Sequence, residues 1–227
     1  MQMATIERSG EFEDAEHFRR ESLGAFAHEI RTPLTSIKMV MELARRQAQD
    51  GQLILDAELA DMLRVSVEDL QSLADDLQET SRLERGRLTL ATGPCDLGSA
   101  IAAAQELLDG HPELAVESEE TLQGPWDAPR LVRTIAGFAQ SANRLGDGSG
   151  LVRLESEAGS EAVVLRFTSG EPGGDPRAIG ADAGFSFFRA RQLVLAMAGS
   201  VHSARAERYA TFTVALPLQA NGGGSRG

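Results

Sequence analysis

The sequence predicts an α+β protein in which an N-terminal helical hairpin pairs into a dimeric four-helix bundle and is followed by an α/β sandwich. Apolar residues recur at steps of three and four across residues 23–44 and again across 59–77, the mark of two successive amphipathic helices. Beyond residue 95 helical patterns alternate with short strand-like ones. A length of 227 residues and 42% hydrophobic content allow one or two domains with packed cores.

Residues 1–17 read as a linker or as the end of an upstream helix, because the pattern from Phe12 onward extends the first helix backward. That helix carries one apolar stripe, Leu23, Phe26, Ile30, Leu34, Ile37, Met41 and Ala44, expected to be buried. Gln49 to Asp56, with Gly51 among polar residues, fits a hairpin connection. In the second helix Leu59, Leu63, Ser66, Leu70, Leu73 and Leu77 form a heptad seam suited to a left-handed bundle. Two helices with one apolar face each cannot close a core, whereas two hairpins can, so a homodimer is expected.

In the second half the patterns predict a helix over Leu97–Leu108, a strand over Leu114–Glu117 and a helix over Ala128–Leu145. Strands at Leu151–Glu155 and Ala162–Phe167, a helix over Phe185–Ala198 ending at Gly199, and a last strand over Thr211–Pro217 follow. Residues 220–227 are Gly-rich without apolar anchors and are expected to form a disordered tail.

The formal charge of −12 argues against nucleic acid or an anionic membrane as partner, since both need a basic surface. With no apolar run of about 18 residues and no signal peptide, a soluble, cytoplasmic chain is expected. The single Cys95 excludes an internal disulfide. His17, His28, His111 and His202 lack metal-ligand spacing, so no metal site is expected.

The chemistry concentrates at His28-Glu29-Ile30-Arg31-Thr32-Pro33-Leu34-Thr35. His28 stands two places from both Phe26 and Ile30, so it points away from the apolar stripe. A neutral imidazole is a competent nucleophile when its second nitrogen is held and its proton accepted, and Glu29 can do both. Thr32 lies one turn on, where its hydroxyl could orient a water, and Pro33 removes a helical hydrogen bond just below.

This octapeptide, with Phe18-Arg19-Arg20 upstream, resembles the H-box of sensor histidine kinases, and Leu73-Ala74-Asp75-Asp76-Leu77 with Thr80 to Gly86 resembles the end of that family's second dimerisation helix. The resemblance implies a dimerisation and histidine phosphotransfer domain over residues 18–90. It makes His28 the phosphorylated residue, Glu29 its acid/base partner, Thr32 an aid to dephosphorylation of a partner, and Arg31, Thr35 and Ser36 part of the surface on which a response regulator receiver domain docks.

Residues 95–219 resemble the family's catalytic ATP-binding domain, with departures at each nucleotide box. Ser141 occupies the position of a magnesium-binding Asn, and Asn143 is roughly 200° further around the helix. Thr168-Ser169-Gly170-Glu171-Pro172 stands where the family has Asp-x-Gly-x-Gly. Of the glycines in Gly-x-Gly-Leu-Gly-Leu only Gly184 survives in Asp182-Ala183-Gly184-Phe185-Ser186-Phe187. The ten residues Gly173 to Asp182 are too few for a nucleotide lid. These departures argue against ATP binding and lead to the expectation that this chain binds no cofactor, with magnesium supplied by the receiver domain. The function expected first is a phosphorelay histidine phosphotransferase. An autophosphorylating sensor histidine kinase with a divergent ATP site and a non-enzymatic dimeric scaffold stay open beside it.

Overall fold

The computed structural model describes residues 3–48, 52–117, 122–159 and 161–218, with residues 3–19 and 158 described by backbone alone. The chain divides into two compact units, Met1–Glu84 and Arg85–Gly227. The expected tail at 220–227 and the first part of the expected hairpin connection, 49–51, lie outside the described residues.

The first unit is a hairpin of α1 (Met3–Arg46) and α2 (Ala57–Glu84). Asp56 caps α2, its Oδ1 accepting from the Leu59 amide at 2.8 Å, which satisfies one of the free donors of the first turn. The heptad reading of α2 matches its inner face: Leu59 and Ser66 are buried, and Leu63, Leu70, Leu73 and Leu77 are half-buried. The stripe expected on α1 requires correction. Leu23, Leu34 and Met41 are 54%, 50% and 40% exposed, while Ala25, Pro33, Val40 and Ala44 are buried. The seven stripe positions fall within an arc of about 80°, and within the protomer the covered face is centred to one side of it, on Pro33 and Val40, so the far edge of the stripe at Leu23, Leu34 and Met41 stays open. Ser66 and Thr80 are tolerated in the seam because their hydroxyls donate to the Met62 and Asp76 carbonyls, both at 2.8 Å.

The second unit begins with a two-stranded sheet of β1 (Gly93–Asp96) and β3 (Gln123–Trp126), between which come α3 (Leu97–Leu107) and β2 (Glu113–Glu117). There follow α4 (Ala128–Leu145), β4 (Leu151–Ala158), β5 (Ala162–Ser169), a short 3₁₀ turn (Ala181–Ala183), α5 (Phe185–Ala196), β6 (Ser200–Arg205) and β7 (Ala210–Pro217). The main sheet runs β2-β4-β5-β7-β6, parallel between β2 and β4 and antiparallel elsewhere. β1, β3 and β6 have no counterpart in the sequence reading. Pro94 and Pro125 mask the first two, since Pro is a poor strand former, and β6 is an edge strand with little apolar alternation.

The core lies between the main sheet and the helices. Phe138 on α4 packs against Phe167, Phe187 and Phe212 at centroid separations of 5.6, 6.2 and 5.5 Å, joining β5, α5 and β7. Alternation on β5 and β7 puts Val163, Leu165 and Phe167 opposite Leu216, Val214 and Phe212 on this inner face. The Trp126 indole N–H donates to the Pro217 carbonyl at 2.9 Å, fastening the small sheet to the end of β7. Asp127, 1% exposed, caps α4 and accepts from the Ala91 and Arg130 amides and the Arg130 guanidinium.

Candidate functional site

On the hairpin, His28 is exposed at mid-helix, and Thr32, one turn on, is exposed as well. Glu29 is half-buried and engaged in an interaction. Two further residues assigned to partner docking turn their hydroxyls back to the helix: Thr35 donates to the Arg31 carbonyl at 2.7 Å and Ser36 to the Thr32 carbonyl at 3.4 Å. Such bonds near a buried proline ease the helix through the point where a backbone donor is missing. Arg31 is exposed. His28, Arg31, Thr32 and Thr35 therefore present one polar, accessible face whose nucleophile is free of the apolar seam.

In the second unit the residues at the nucleotide boxes are engaged internally. Ser141, fully buried, donates to the Gly137 carbonyl at 2.7 Å, within its own helix. Asn143 accepts from the Gly150 amide at 2.9 Å and so closes the turn between α4 and β4. Thr168 shares a hydrogen bond of 3.2 Å with Thr211 across β5 and β7. Asp147 in the α4–β4 turn accepts from the Ser149 amide at 3.0 Å and from the Ser169 hydroxyl at 3.2 Å, and these bonds, the former foremost, hold its carboxyl below the usual range.

Gly170, at φ +81°, lets the chain leave β5 against the turn between β6 and β7; a Cβ there would lie 1.9 Å from the Arg208 carbonyl oxygen. The segment that follows is fastened to the β6–β7 hairpin. The Arg177 amide donates to the Arg205 carbonyl at 3.0 Å, Arg205 donates to the Ala178 carbonyl at 3.4 Å, and Arg177 pairs with Glu207 at 3.3 Å. The carboxylate of Asp182 pairs with Arg205 at 2.6 Å. Gly184, at φ +86°, leads into α5 without a side-chain cap, and Ser186 in the first turn of α5 packs on α4, where a Cβ on Gly137 would meet the Ser186 carbonyl oxygen at 3.0 Å.

The sequence reading missed Gly137, Arg177, Arg205 and Thr211. Only Gly137 carried a signal, an isolated glycine inside a strong helical pattern, which marks close approach of another backbone. Among the described residues no group of three or more His, Cys, Asp and Glu is arranged to hold a metal, and no helix is long and apolar enough to cross a membrane.

With this geometry in hand, the relatives are informative. Residues 18–86 match the model of the His Kinase A (phospho-acceptor) domain. Among characterised proteins, sensor protein DivL of Caulobacter vibrioides is 29% identical over 73% of this chain and 22% of its own length. Sensor histidine kinase MtrB of Mycolicibacterium paratuberculosis is 32% identical over 69% of this chain and 29% of its own length, and the kinase BaeS of Escherichia coli 24% identical over 71% and 35%. The chain thus spans about a fifth to a third of these relatives. Among solved structures, histidine kinase AdeS of Acinetobacter baumannii superposes with a TM-score of 0.65 at 20% identity, covering 84% of this chain and 98% of that one. Histidine kinase ThkA, in complex with response regulator TrrA, superposes at 0.60 and 16% identity over 98% of this chain and 68% of that one. These likenesses fix the fold as a helical hairpin followed by a mixed α/β unit of the kind found in histidine kinases. Residues 18–86 are thus similar to a phospho-acceptor domain, and the chain as a whole resembles sensor histidine kinases.

Proposed function

We propose that His28 carries a phosphoryl group in two-component signalling, and that it exchanges this group with the aspartate of a response regulator receiver domain rather than taking it from ATP. The observation that carries the reading is an asymmetry. The His28 motif is complete and its His28 and Thr32 are exposed, whereas the polar groups at the nucleotide boxes are committed to internal bonds. In the transfer, a lone pair of the imidazole attacks the phosphorus of the aspartyl phosphate in line. The P–N bond forms as the P–O bond to the acyl carbon's oxygen breaks, and the aspartate carboxylate leaves with the electron pair. Glu29 accepts the proton from the other ring nitrogen. Hydrolysis of a docked receiver's phosphate is assisted by Thr32.

The residues present fit a nucleotide and its magnesium poorly. Ser141 offers its hydroxyl to its own helix, Asp182 sets a carboxylate where phosphates would approach, and Ser186 closes on Gly137, where added bulk meets backbone. The chain's second copy adds the face that Leu23, Leu34 and Met41 leave open, giving a homodimer through the hairpin. The similarity to sensor histidine kinases supports the broader class more directly than a dedicated phosphotransferase, and a superposing kinase, ShkA, was solved in complex with AMPPNP (TM-score 0.55, 22% identity). One experiment separates the two readings. Protein incubated with γ-labelled ATP and magnesium is expected to stay unlabelled and to show no thermal shift, where an occupant at 100 times its dissociation constant adds about 2.7 kcal/mol. Incubation with a phosphorylated receiver is expected to label wild type and not His28→Ala. Label on His28 from ATP alone establishes the kinase reading instead.

A further inference from the structure

The chain has 22 basic residues of which a single one, Lys38, is lysine, and its net charge is −12. Half of that excess is concentrated on α2, where eight carboxylates stand against Arg64 and Arg82. The face of α1 that carries His28 has the opposite character. Arg31, Lys38 and Arg45 are spaced one heptad apart, so they share one column along the helix, directly beside the column of His28 and Thr35. All three are exposed, and among the described residues none takes part in an ion pair. Glu42, the one carboxylate within a turn of Lys38 and Arg45 on α1, is taken by Arg46 at 3.2 Å. From Arg31 to Arg45 the column runs about 21 Å.

We infer that this column is the electrostatic determinant of partner choice: the receiver domain that exchanges phosphate with His28 presents a complementary acidic face along α1, and basic-faced receivers are rejected. The inference rests on the phosphotransfer reading and adds the chemistry of its partner. Unpaired, exposed cations on an otherwise acidic protein raise the encounter rate of an acidic partner and orient it toward the reactive group. Lysine suits a contact made and broken in each exchange, since its hydrated point charge on a flexible stem adapts without a fixed bidentate geometry. The surrounding negative charge of α2 supplies the repulsive half of the discrimination, turning away any acidic surface not aligned with the column.

The test measures the second-order rate of phosphoryl exchange between the full chain and a panel of phosphorylated receiver domains with acidic and with basic docking faces. Wild type is expected to favour the acidic-faced members, and Lys38→Glu to slow exchange with them about tenfold at low salt, with Arg31→Glu acting in the same direction. Arg87→Glu, an equal charge change at an exposed residue outside the hairpin, is expected to leave the rate unaltered. Near 1 M salt, where the Debye length is about 3 Å, the variants and wild type should converge. Carbodiimide coupling gives an independent readout, because a cross-link from a side-chain amine of this protein can arise only at Lys38. If Lys38→Glu proves unfolded by circular dichroism, Lys38→Gln carries the same test with a smaller amplitude. Rates for Lys38→Glu and Arg87→Glu that agree at low salt, while His28→Ala abolishes exchange, overturn the inference alone. Wild type that exchanges with no receiver overturns the phosphotransfer reading beneath it.

Discussion

In the hairpin the polar residues His28, Arg31, Thr32 and Thr35 face solvent and few residues are buried within the protomer: Ala25, Pro33, Val40 and Ala44 on α1, Leu59, Ser66 and Thr80 on α2. In the second unit the balance is reversed. Phe138, Phe167, Phe187 and Phe212 fill a dense core, and Ser141, Asn143 and Thr168 spend their polar atoms on internal hydrogen bonds. One unit exposes its polar motif and leaves an apolar face open; the other closes its core and turns polar side chains inward. Fold and site make separate demands, because a core is held by shape and apolar volume while a site depends on a few polar atoms left free to meet a ligand.

That contrast breaks first at Asp127. Asp127→Ala should destabilise the second unit by about 3–5 kcal/mol, since it removes the buried acceptor shared by the Ala91 and Arg130 amides and the Arg130 guanidinium. His28→Ala, exposed, should change stability by no more than about 0.5 kcal/mol. Trp126, the chain's single tryptophan and 1% exposed, reports unfolding of the second unit in a urea titration. Comparable losses for both variants would erase the distinction between a surface site and an internalised one.

A smaller effect is expected at the contact of α4 with α5. Gly137→Val puts a branched side chain against the Ser186 carbonyl and the Ala190 methyl, 3.0 and 3.2 Å from the position of the added Cβ, and should cost about 1–3 kcal/mol in the same titration. A neutral result would mean that α5 can withdraw from α4 at little cost.

Acid gives a graded test. Asp96, held by the Ser99 hydroxyl and amide at 2.7 Å each, and Asp147 both have carboxyls depressed below their ordinary value. In the window between folded and unfolded values the unfolded chain binds more protons, so stability rises with pH there. Their contribution should be complete above the ordinary carboxylate range of about 4 and fade as pH falls through the depressed folded values. Asp96→Asn with Asp147→Asn should flatten this acid limb of the urea midpoint, and an unchanged limb would show that other carboxylates control it.

The smallest expected change is a gain. Ala198 sits at φ +59° where α5 ends, followed by Gly199 donating to the Val194 carbonyl at 2.9 Å. Ala198→Gly removes the Cβ strain of the left-handed conformation and should stabilise the second unit by about 0.5–1 kcal/mol, read as a raised melting temperature.

Much of this was legible from residue order alone. The expected helix over Ala128–Leu145 coincides with α4, and the seam from Leu59 to Leu77 lies on the inner face of α2, because periodicity of apolar residues acts locally and is enforced by burial. The motif around His28 was legible for the same reason: its residues are neighbours on one helix, so spacing alone places them together. The stripe on α1 is only partly closed within the protomer, because which edge of that apolar arc the hairpin covers depends on α2. The departures at Ser141, Thr168 and Asp182 were visible as substitutions, but what those residues do instead was not. Thr168 meets Thr211 from 43 positions away, Asp182 meets Arg205, and Ser186 meets Gly137. By itself the sequence determined the helices, the strands β2, β4, β5 and β7, and the clustering of polar residues around His28, all consequences of local spacing. Tertiary structure alone decided which face of α1 is closed and where the displaced polar groups find partners, because those outcomes depend on contacts between segments distant in the chain, where packing and the need to satisfy buried polar atoms choose among partners that spacing leaves equivalent.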